Sequence, residues 1–394
     1  MISFQPTVDE IAFRNLARNF AKEKLRPLAR DFEETRQVSD EISREINELG
    51  FSALELPADW DGLELPLISQ VQIVEALSAG DLGGVQGFRG PGEAASLFRL
   101  VPAHPLFNKI KKTTRDKTWP AVAFLNGNKP NHSSSLRLEL QSSGGGYLLN
   151  GTSRPLRMAK YAGYLLVGLK DTTGEQLLIW LEDHGQWRLL EGDYRLGLLA
   201  SGFSKIQFHD TVITDEQVLA KGHEAKVLLS QMLTRTRVLE AAKEVGAMEA
   251  ALDHAAVYTA QRKAFGQEIA KFQGVSFTLA DMSIKTQAAR HLVWQSALKV
   301  DDRDPEGEAA SQSALQFAHQ SLRFVTDCAV QLLGGHGYVQ DFPVEKWMRD
   351  AQAQIIFTEG ESELLLDHGE WLIVGEERGG LHDFIQNVAA SNPG

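Results

Sequence analysis

Residues 331–363 read QLLGGHGYVQDFPVEKWMRDAQAQIIFTEGESE, and this stretch decides the fold. It joins a glycine-rich turn, a proline-started helix and a carboxylate, Glu359. Gly334, Gly335 and Gly337 let backbone approach another molecule with no Cβ in the way, and they equally suit a helix C-cap and turn. Pro343 opens the next helix, where a missing N–H costs nothing. The charged run Glu345, Lys346, Arg349, Asp350 reads as a helix face with i,i+4 pairs. That helix is expected to stop near Glu359-Gly360. A carboxylate at an element's end suits catalysis; it also suits a solvated helix end.

Outward from that stretch, the chain is helical back to about residue 222. Phe277, Ala280, Ile284, Ala288 and Leu292 share one helix face. Leu315, Ala318, Leu322, Val325 and Ala329 share another, and Asp304-Pro305 separates the two runs. Long neighbouring amphipathic helices predict a four-helix bundle over residues 222–394. Such stripes read as core, and their fullness also suits oligomerisation. Residues 119–221 carry strand and turn signals instead. Leu136, Leu138 and Leu140 alternate with polar residues. Residues 142–146 form a turn, and Asn150-Gly151 is a second turn signal. Short strands are expected at 164–169, 177–181 and 205–208, with connections that suit an antiparallel sheet or small barrel.

Residues 1–118 read as an N-terminal helical domain. Thr7 and Glu10 make a capping-box pattern ahead of Phe13, Leu16 and Phe20. Pro27 limits or kinks that helix. Ser39 caps a second one, with Ile42, Ile46 and Leu49 on one face and Gly50 as its stop. A further apolar helix covers 71–79, and 80–92 is glycine-rich and irregular. The fold class is therefore α+β and multidomain: helical, then antiparallel β, then a helical bundle.

Composition bounds the function. At 394 residues the chain has ample core for two or three domains. A formal net charge of −12 argues against a nucleic-acid binder, whose footprint is basic. It does not argue against small anionic ligands, which need only local positive charge. The single cysteine, Cys328, fits a reducing compartment and reads as a buried, inert thiol. No basic-then-apolar leader opens the chain, and no stretch has the ~20 apolar residues of a membrane span. The expected location is cytoplasmic. The 11 histidines are scattered, so no metal site is expected.

The segment 258–266, YTAQRKAFG, followed by Phe272-Gln273 and Leu279-Ala280-Asp281-Met282, resembles the acyl-CoA dehydrogenase signature. Gly334-Gly335-His336-Gly337-Tyr338, Arg349-Asp350-Ala351 and Glu359-Gly360 continue the resemblance in order. Segments 24–29, 47–51 and 61–63 match more generically, so the likeness spans most of the chain. It implies the same three-part fold, usually as a homodimer or homotetramer. It also implies oxidation of an acyl-CoA thioester to the α,β-enoyl form. FAD accepts the β-hydride and Glu359 is the α-proton base; the Glu359 N–H and a flavin ribityl hydroxyl polarise the thioester carbonyl. Arg262 would meet the FAD pyrophosphate. Phe265 and Gln273 would line its adenosine part, with Gln331, Gly334 and Gly335 contacting it from the bundle. Arg237 and Gly360 would serve substrate binding, although Thr234 replaces Arg237's usual acidic companion. The expected electron acceptor is an electron-transfer flavoprotein.

The chain departs from that pattern at the flavin end. Around residues 125–127 the usual Thr-Glu-Pro motif is missing. Pro155-Leu156-Arg157 stands where Trp-Ile-Thr is usual beside the flavin ring, and Glu361 replaces a small hydroxyl residue. Arg157 has the charge to stabilise an anionic flavin or to pair with Glu361. Two further readings stay open: an incomplete subunit supplying adenosine-side contacts in a mixed oligomer, or a non-catalytic acyl-CoA-binding protein.

Overall fold

The computed structural model describes residues 7–113, 118–128, 138–183, 185–190 and 195–374. Helix α1 (Val8–Phe20) opens with the expected capping box: the Glu10 N–H donates to the Thr7 hydroxyl, and the Thr7 N–H donates to the Glu10 carboxylate at 2.7 Å. A π-helical turn, Ala21–Leu25, joins it to α2 (Arg26–Thr35). Pro27 explains the widened turn, because it has no N–H to donate and its ring crowds the preceding turn's carbonyl. Ser39 caps α3 (Asp40–Glu48), which ends ahead of Gly50 at φ +80°. Helix α4 (Leu67–Ser78) follows. The stretch 80–92 is less irregular than its glycines suggest. It contains α5 (Leu82–Gln86), because the buried Asp81 carboxylate accepts from the Gly84 N–H at 2.7 Å. Helices α6 (Ala94–Leu100) and α7 (Asn108–Thr113) complete this part.

The β part holds β1 (Val122–Asn126), β2 (Leu138–Ser143), β3 (Gly146–Thr152), β4 (Tyr164–Lys170), β5 (Gln176–Glu182), β6 (Arg188–Leu190), β7 (Lys205–Thr214) and β8 (Val218–Lys221). They form two four-stranded sheets, ordered β1-β4-β5-β8 and β2-β3-β7-β6. All neighbours are antiparallel except β1 and β4, which are parallel. Leu125, Leu165, Val167 and Ile179 from one sheet share a core with Leu140, Leu149 and Phe208 from the other. The described strands thus make two packed layers and not a barrel.

Asn150-Gly151 is not a hairpin turn. It lies inside β3, where the register against β7 shifts between Leu149 and Gly151. Gly151 takes φ +121°, and the Asn150 side chain accepts from the Asp210 N–H at 2.7 Å. The turn chemistry is used for a β-bulge. The hairpin between β2 and β3 closes instead at Gly144 and Gly145, as the 142–146 signal predicts. Leu136 of the predicted alternation lies outside the described residues.

Helices α8 (Gly222–Gln261), α9 (Gln273–Asp301), α10 (Gly307–Leu333) and α11 (Val344–Phe357) pack as the bundle, with α12 (Glu361–Val374) beyond. Leu315, Ala318, Leu322, Val325 and Ala329 are buried, as their stripe predicts. Most of the α9 stripe is not core. Phe277 is 62% and Ile284 65% exposed, while Met282, Ala289 and Val293 face inward. Phe277 and Ile284 thus turn away from the bundle core, while Leu292 at the end of the stripe packs against it.

Helix α8 links the parts. It packs on α4 and α6 at one side and on α9 and α10 at the other. Its Arg237, Glu240 and Glu244 are buried at i, i+3 and i+7, so one polar face runs through the middle of the molecule. Leu322 sits fully buried opposite this helix. Leu322→Ala is expected to destabilise the protein by about 2–5 kcal/mol, read as a lowered Tm in scanning calorimetry; an unchanged Tm would mean the bundle core collapses around the deletion.

Candidate active site

Helix α11 ends at Phe357. Thr358 leaves helical geometry at φ −82°, ψ −102°, and its hydroxyl donates to the Gln354 carbonyl at 2.7 Å. The next residue, Glu359, is only 5% exposed. The solvated helix-end alternative therefore does not hold. Its carboxylate accepts two bonds from Arg237 on α8, Nε at 2.8 Å and Nη2 at 3.0 Å. This fork-on-fork geometry is the strong form of an arginine–carboxylate pair. Burial works against the Arg237 charge, but Glu359 outweighs it and holds the guanidinium pKa above its usual value.

The main chain of Glu359 is held as well. His319 Nε2 lies 2.8 Å from the Glu359 carbonyl oxygen. A carbonyl only accepts, so Nε2 carries the hydrogen. His319 Nδ1 lies 2.8 Å from the Glu244 carboxyl. Burial disfavours a charged imidazole, yet Glu244 raises the His319 pKa above its ordinary value. Glu359 is thus fixed at two points, its side chain by α8 and its backbone by α10. Glu240, Glu244 and His319 were missed in the sequence reading. Their signal is polar residues interrupting the apolar stripes of α8 and α10.

A cavity of about 80 Å³ opens at Glu359. Phe124, Arg154, Pro155, Leu156, Arg157 and Phe203 line it from the β part, and Thr236, Arg237, Phe357 and Thr358 from the bundle. The atypical Pro155-Leu156-Arg157 triplet therefore does reach the candidate site. Arg157 does not pair with Glu361. It donates to Glu93 through Nε at 3.2 Å and Nη2 at 2.9 Å, while Glu361 takes Arg323 at 3.1 Å. Burial opposes the Arg157 charge, and Glu93 more than offsets that. Arg154 is different: burial lowers its pKa, with Glu363 and Glu359 offsetting only part. Beyond Arg157, Glu240 accepts from Lys243 at 2.5 Å, Gln86 at 2.6 Å and Gln354 at 2.8 Å. Burial alone would raise the Glu240 pKa; Lys243 and Arg157 win, and hold it at about 2.

The residues expected to meet the dinucleotide lie elsewhere. Arg262, Phe265 and Gln273 sit between α8 and α9, and Gln331, Gly334 and Gly335 at the end of α10. The Tyr258 hydroxyl lies 2.8 Å from His336 Nδ1, which brings both groups to one end of the bundle. All six residues are exposed, Phe265 at 95%. A Cβ on Gly334 or Gly335 would meet nothing within 4 Å, and Gly334 sits at φ +57°. Gly337 differs, since a Cβ there would fall 2.2 Å from the Val330 carbonyl oxygen. Gly334 and Gly335 therefore open backbone to an outside molecule, whereas Gly337 packs internally. This surface is open and carries the Arg262 donors, so nothing in it obstructs the dinucleotide contact expected there. Gly360 is likewise open, with nothing within 4 Å of a built Cβ. Cys328 is half-buried, and burial raises its thiol pKa. Among the described residues no cluster of ligating side chains could hold a metal, and no helix is long and apolar enough to cross a membrane.

The model of the acyl-CoA dehydrogenase N-terminal domain matches residues 7–93, and that of the C-terminal domain matches residues 225–369. The chain belongs to the acyl-CoA dehydrogenase family, whose members are FAD-dependent oxidoreductases. It is similar to the 3-(aryl)acrylate reductase of Clostridium sporogenes, at 26% identity over 358 residues, spanning 89% of this chain and 94% of that protein. It is as similar to the short-chain-specific acyl-CoA dehydrogenase of Clostridium acetobutylicum, at 26% over 372 residues, spanning 92% and 97%. The solved butyryl-CoA dehydrogenase of Megasphaera elsdenii superposes with a TM-score of 0.81 at 25% identity, covering 94% of this chain and 100% of that one.

The Glu240 pKa lies below its unfolded value near 4.5. Its ionisation therefore adds stability above that pH, and the contribution is lost as pH falls toward about 2. Glu240→Gln is expected to lower Tm at neutral pH by a few degrees and to flatten the fall of Tm between about pH 5 and 3. Calorimetry across pH checks this; parallel curves for both proteins would contradict it.

Proposed function

We propose that this chain removes hydrogen from Cα and Cβ of an acyl-CoA thioester, with Glu359 taking the Cα proton. The observation that carries the reading is a buried carboxylate at the end of α11, facing a cavity between the β part and the bundle. Glu93 and Glu240 also line that cavity, and each pairs with a cation as Glu359 does with Arg237, so pairing alone does not choose among them. A carboxylate held as low as about 2 is a poor base, which disfavours Glu240. Glu359 stands at the family's base position.

Arg237 keeps Glu359 in one orientation through two hydrogen bonds. Proton transfer neutralises Glu359 and leaves the Arg237 cation at the reacting end with only the more distant Glu308 and Asp367 near it. That charge favours the enolate developing on the thioester oxygen. His319, fixed by Glu244, holds the backbone at the same residue. Bound FAD supplies the acceptor for the β-hydrogen, and Arg262, Phe265, Gln273, Gln331, Gly334 and Gly335 would hold its adenosine half. An electron-transfer flavoprotein is the proposed onward acceptor. The exposed Phe277–Ile284 stripe supports assembly with a second copy.

A second reading has its own observation. A cavity of about 80 Å³ has room for a few waters, and Arg157 is locked to Glu93 where a flavin-facing hydroxyl is usual. These features suit a subunit that contributes adenosine-side contacts to a partner's FAD. Flavin content of the purified protein, alone and with a co-expressed family member, separates the two.

Glu359→Gln is expected to slow anaerobic flavin bleaching by acyl-CoA by about 10²–10⁴-fold while flavin content stays unchanged. Unchanged bleaching would remove Glu359 from the mechanism. Ile284→Glu is expected to shift the assembly to a smaller species in analytical ultracentrifugation; the same mass as the parent would place the interface elsewhere.

A further inference from the structure

A second cavity, of about 140 Å³, adjoins the one at Glu359. Glu93, Arg157, Thr236 and Glu240 line both, so they stand where the two cavities meet. On the dehydrogenase reading, an acyl chain whose Cα meets Glu359 would pass between these residues to enter the second cavity. Phe51, Leu54, Val74, Leu77, Val85 and Leu239 give that cavity apolar walls. The junction of the two cavities is another matter, because it is a ring of buried charge.

The hydrogen-bonding capacity of the ring is unbalanced. Each oxygen of Glu93 and Glu240 already accepts at least one bond, and so do the amide oxygens of Gln86 and Gln354. The donors are not used up. Lys243 gives two of its three hydrogens, to Glu240 and Gln86. Arg157 gives two to Glu93 and one, at 3.5 Å, to the Gln86 carbonyl. That leaves one hydrogen on Lys243 and one on each terminal nitrogen of Arg157 without a protein partner among the described residues. Formal charge is even. Glu55 and Arg89, also at the second cavity, are engaged by Arg235 and Asp40 outside it. Arg237 is likewise engaged by Glu308 and Asp367 outside both cavities, which leaves Arg154, Arg157 and Lys243 against Glu93, Glu240 and Glu359, so the imbalance is one of hydrogen bonds.

A plain alkyl chain drawn past this ring would cover cationic donors and give them nothing, which is costly. We propose that the acyl group is short and ends in a carboxylate, which takes the spare hydrogens of Lys243 and Arg157. This rests on the dehydrogenase reading and names its substrate class: the mono-CoA thioester of a dicarboxylic acid. Lys243 is the specificity-determining residue.

Isothermal titration of the holoenzyme with CoA thioethers tests the proposal, since thioethers lack the acidic α-proton and do not turn over. The probes are analogues of glutaryl-CoA, its monomethyl ester and hexanoyl-CoA. The carboxylate analogue is expected to bind about ten-fold or more tightly than either of the others. Lys243→Met alone strands the buried Glu240 charge, so the balanced pair Glu240→Gln/Lys243→Met is measured too. It is expected to keep its fold and bring the preference down to about one. Equal or tighter binding of the hexanoyl analogue overturns the proposal while leaving the dehydrogenase reading intact. Equal binding of the methyl ester overturns the carboxylate assignment. A preference that survives in the double variant removes Lys243 from the recognition. Binding of none of the three overturns both the proposal and the reading it rests on.

Discussion

The site depends on one buried ion pair, Arg237 with Glu359. Both side chains are almost out of solvent, and neither would keep its charge there alone. The pair forces the end of α11 onto the middle of α8. It thereby fixes where the chain turns at Thr358 and where α12 begins. His319 reinforces the same point from α10 by donating to the Glu359 carbonyl, with Glu244 behind it. Three helices thus converge on one residue, and none could shift by a turn without breaking a charged contact.

The same logic extends along α8. Its polar face carries Arg237, Glu240 and Glu244 through a core otherwise built from alanine, valine, leucine and methionine. Arg237 meets the end of α11 and Glu244 meets α10, while Glu240 takes Lys243 on α8 itself together with Gln86 on α5 and Gln354 on α11. Buried polar networks of this kind are unfavourable when half-satisfied and specific when complete. The N-terminal helices, the β layers and the bundle are therefore registered against one another by hydrogen bonds as well as by apolar packing. The consequence for chemistry is a preorganised cavity whose wall charges do not rearrange freely.

Much of the fold was legible because its signals are local. The Thr7–Glu10 box, the Ser39 cap, the 142–146 turn and the Leu315–Ala329 stripe each depend on residues within a few positions of one another. The misread features depend on partners far along the chain. Asn150-Gly151 has turn chemistry, but Asp210 and the pairing of β7 make it a bulge. The Phe277–Ile284 stripe has core spacing, yet the bundle is already closed by the opposite face of α9. In the site, the position of Glu359 was legible and its surroundings were not. Arg237 is 122 residues away, His319 and Glu244 are 75 apart, and Arg157 and Glu93 are 64 apart. No spacing rule reports such pairs. The adenosine-side residues were readable as a motif because they flank two helix ends that the bundle brings together.

The central claim is that Arg237 and Glu359 act as one coupled unit. A double-mutant cycle on stability, with Arg237→Gln, Glu359→Gln and the combined variant, measures that coupling directly. The account predicts that each single variant loses about 3–5 kcal/mol and that the combined variant loses much less than their sum, because neither then strands a buried charge. Additive losses would mean that the two side chains do not hold each other, and would contradict the account.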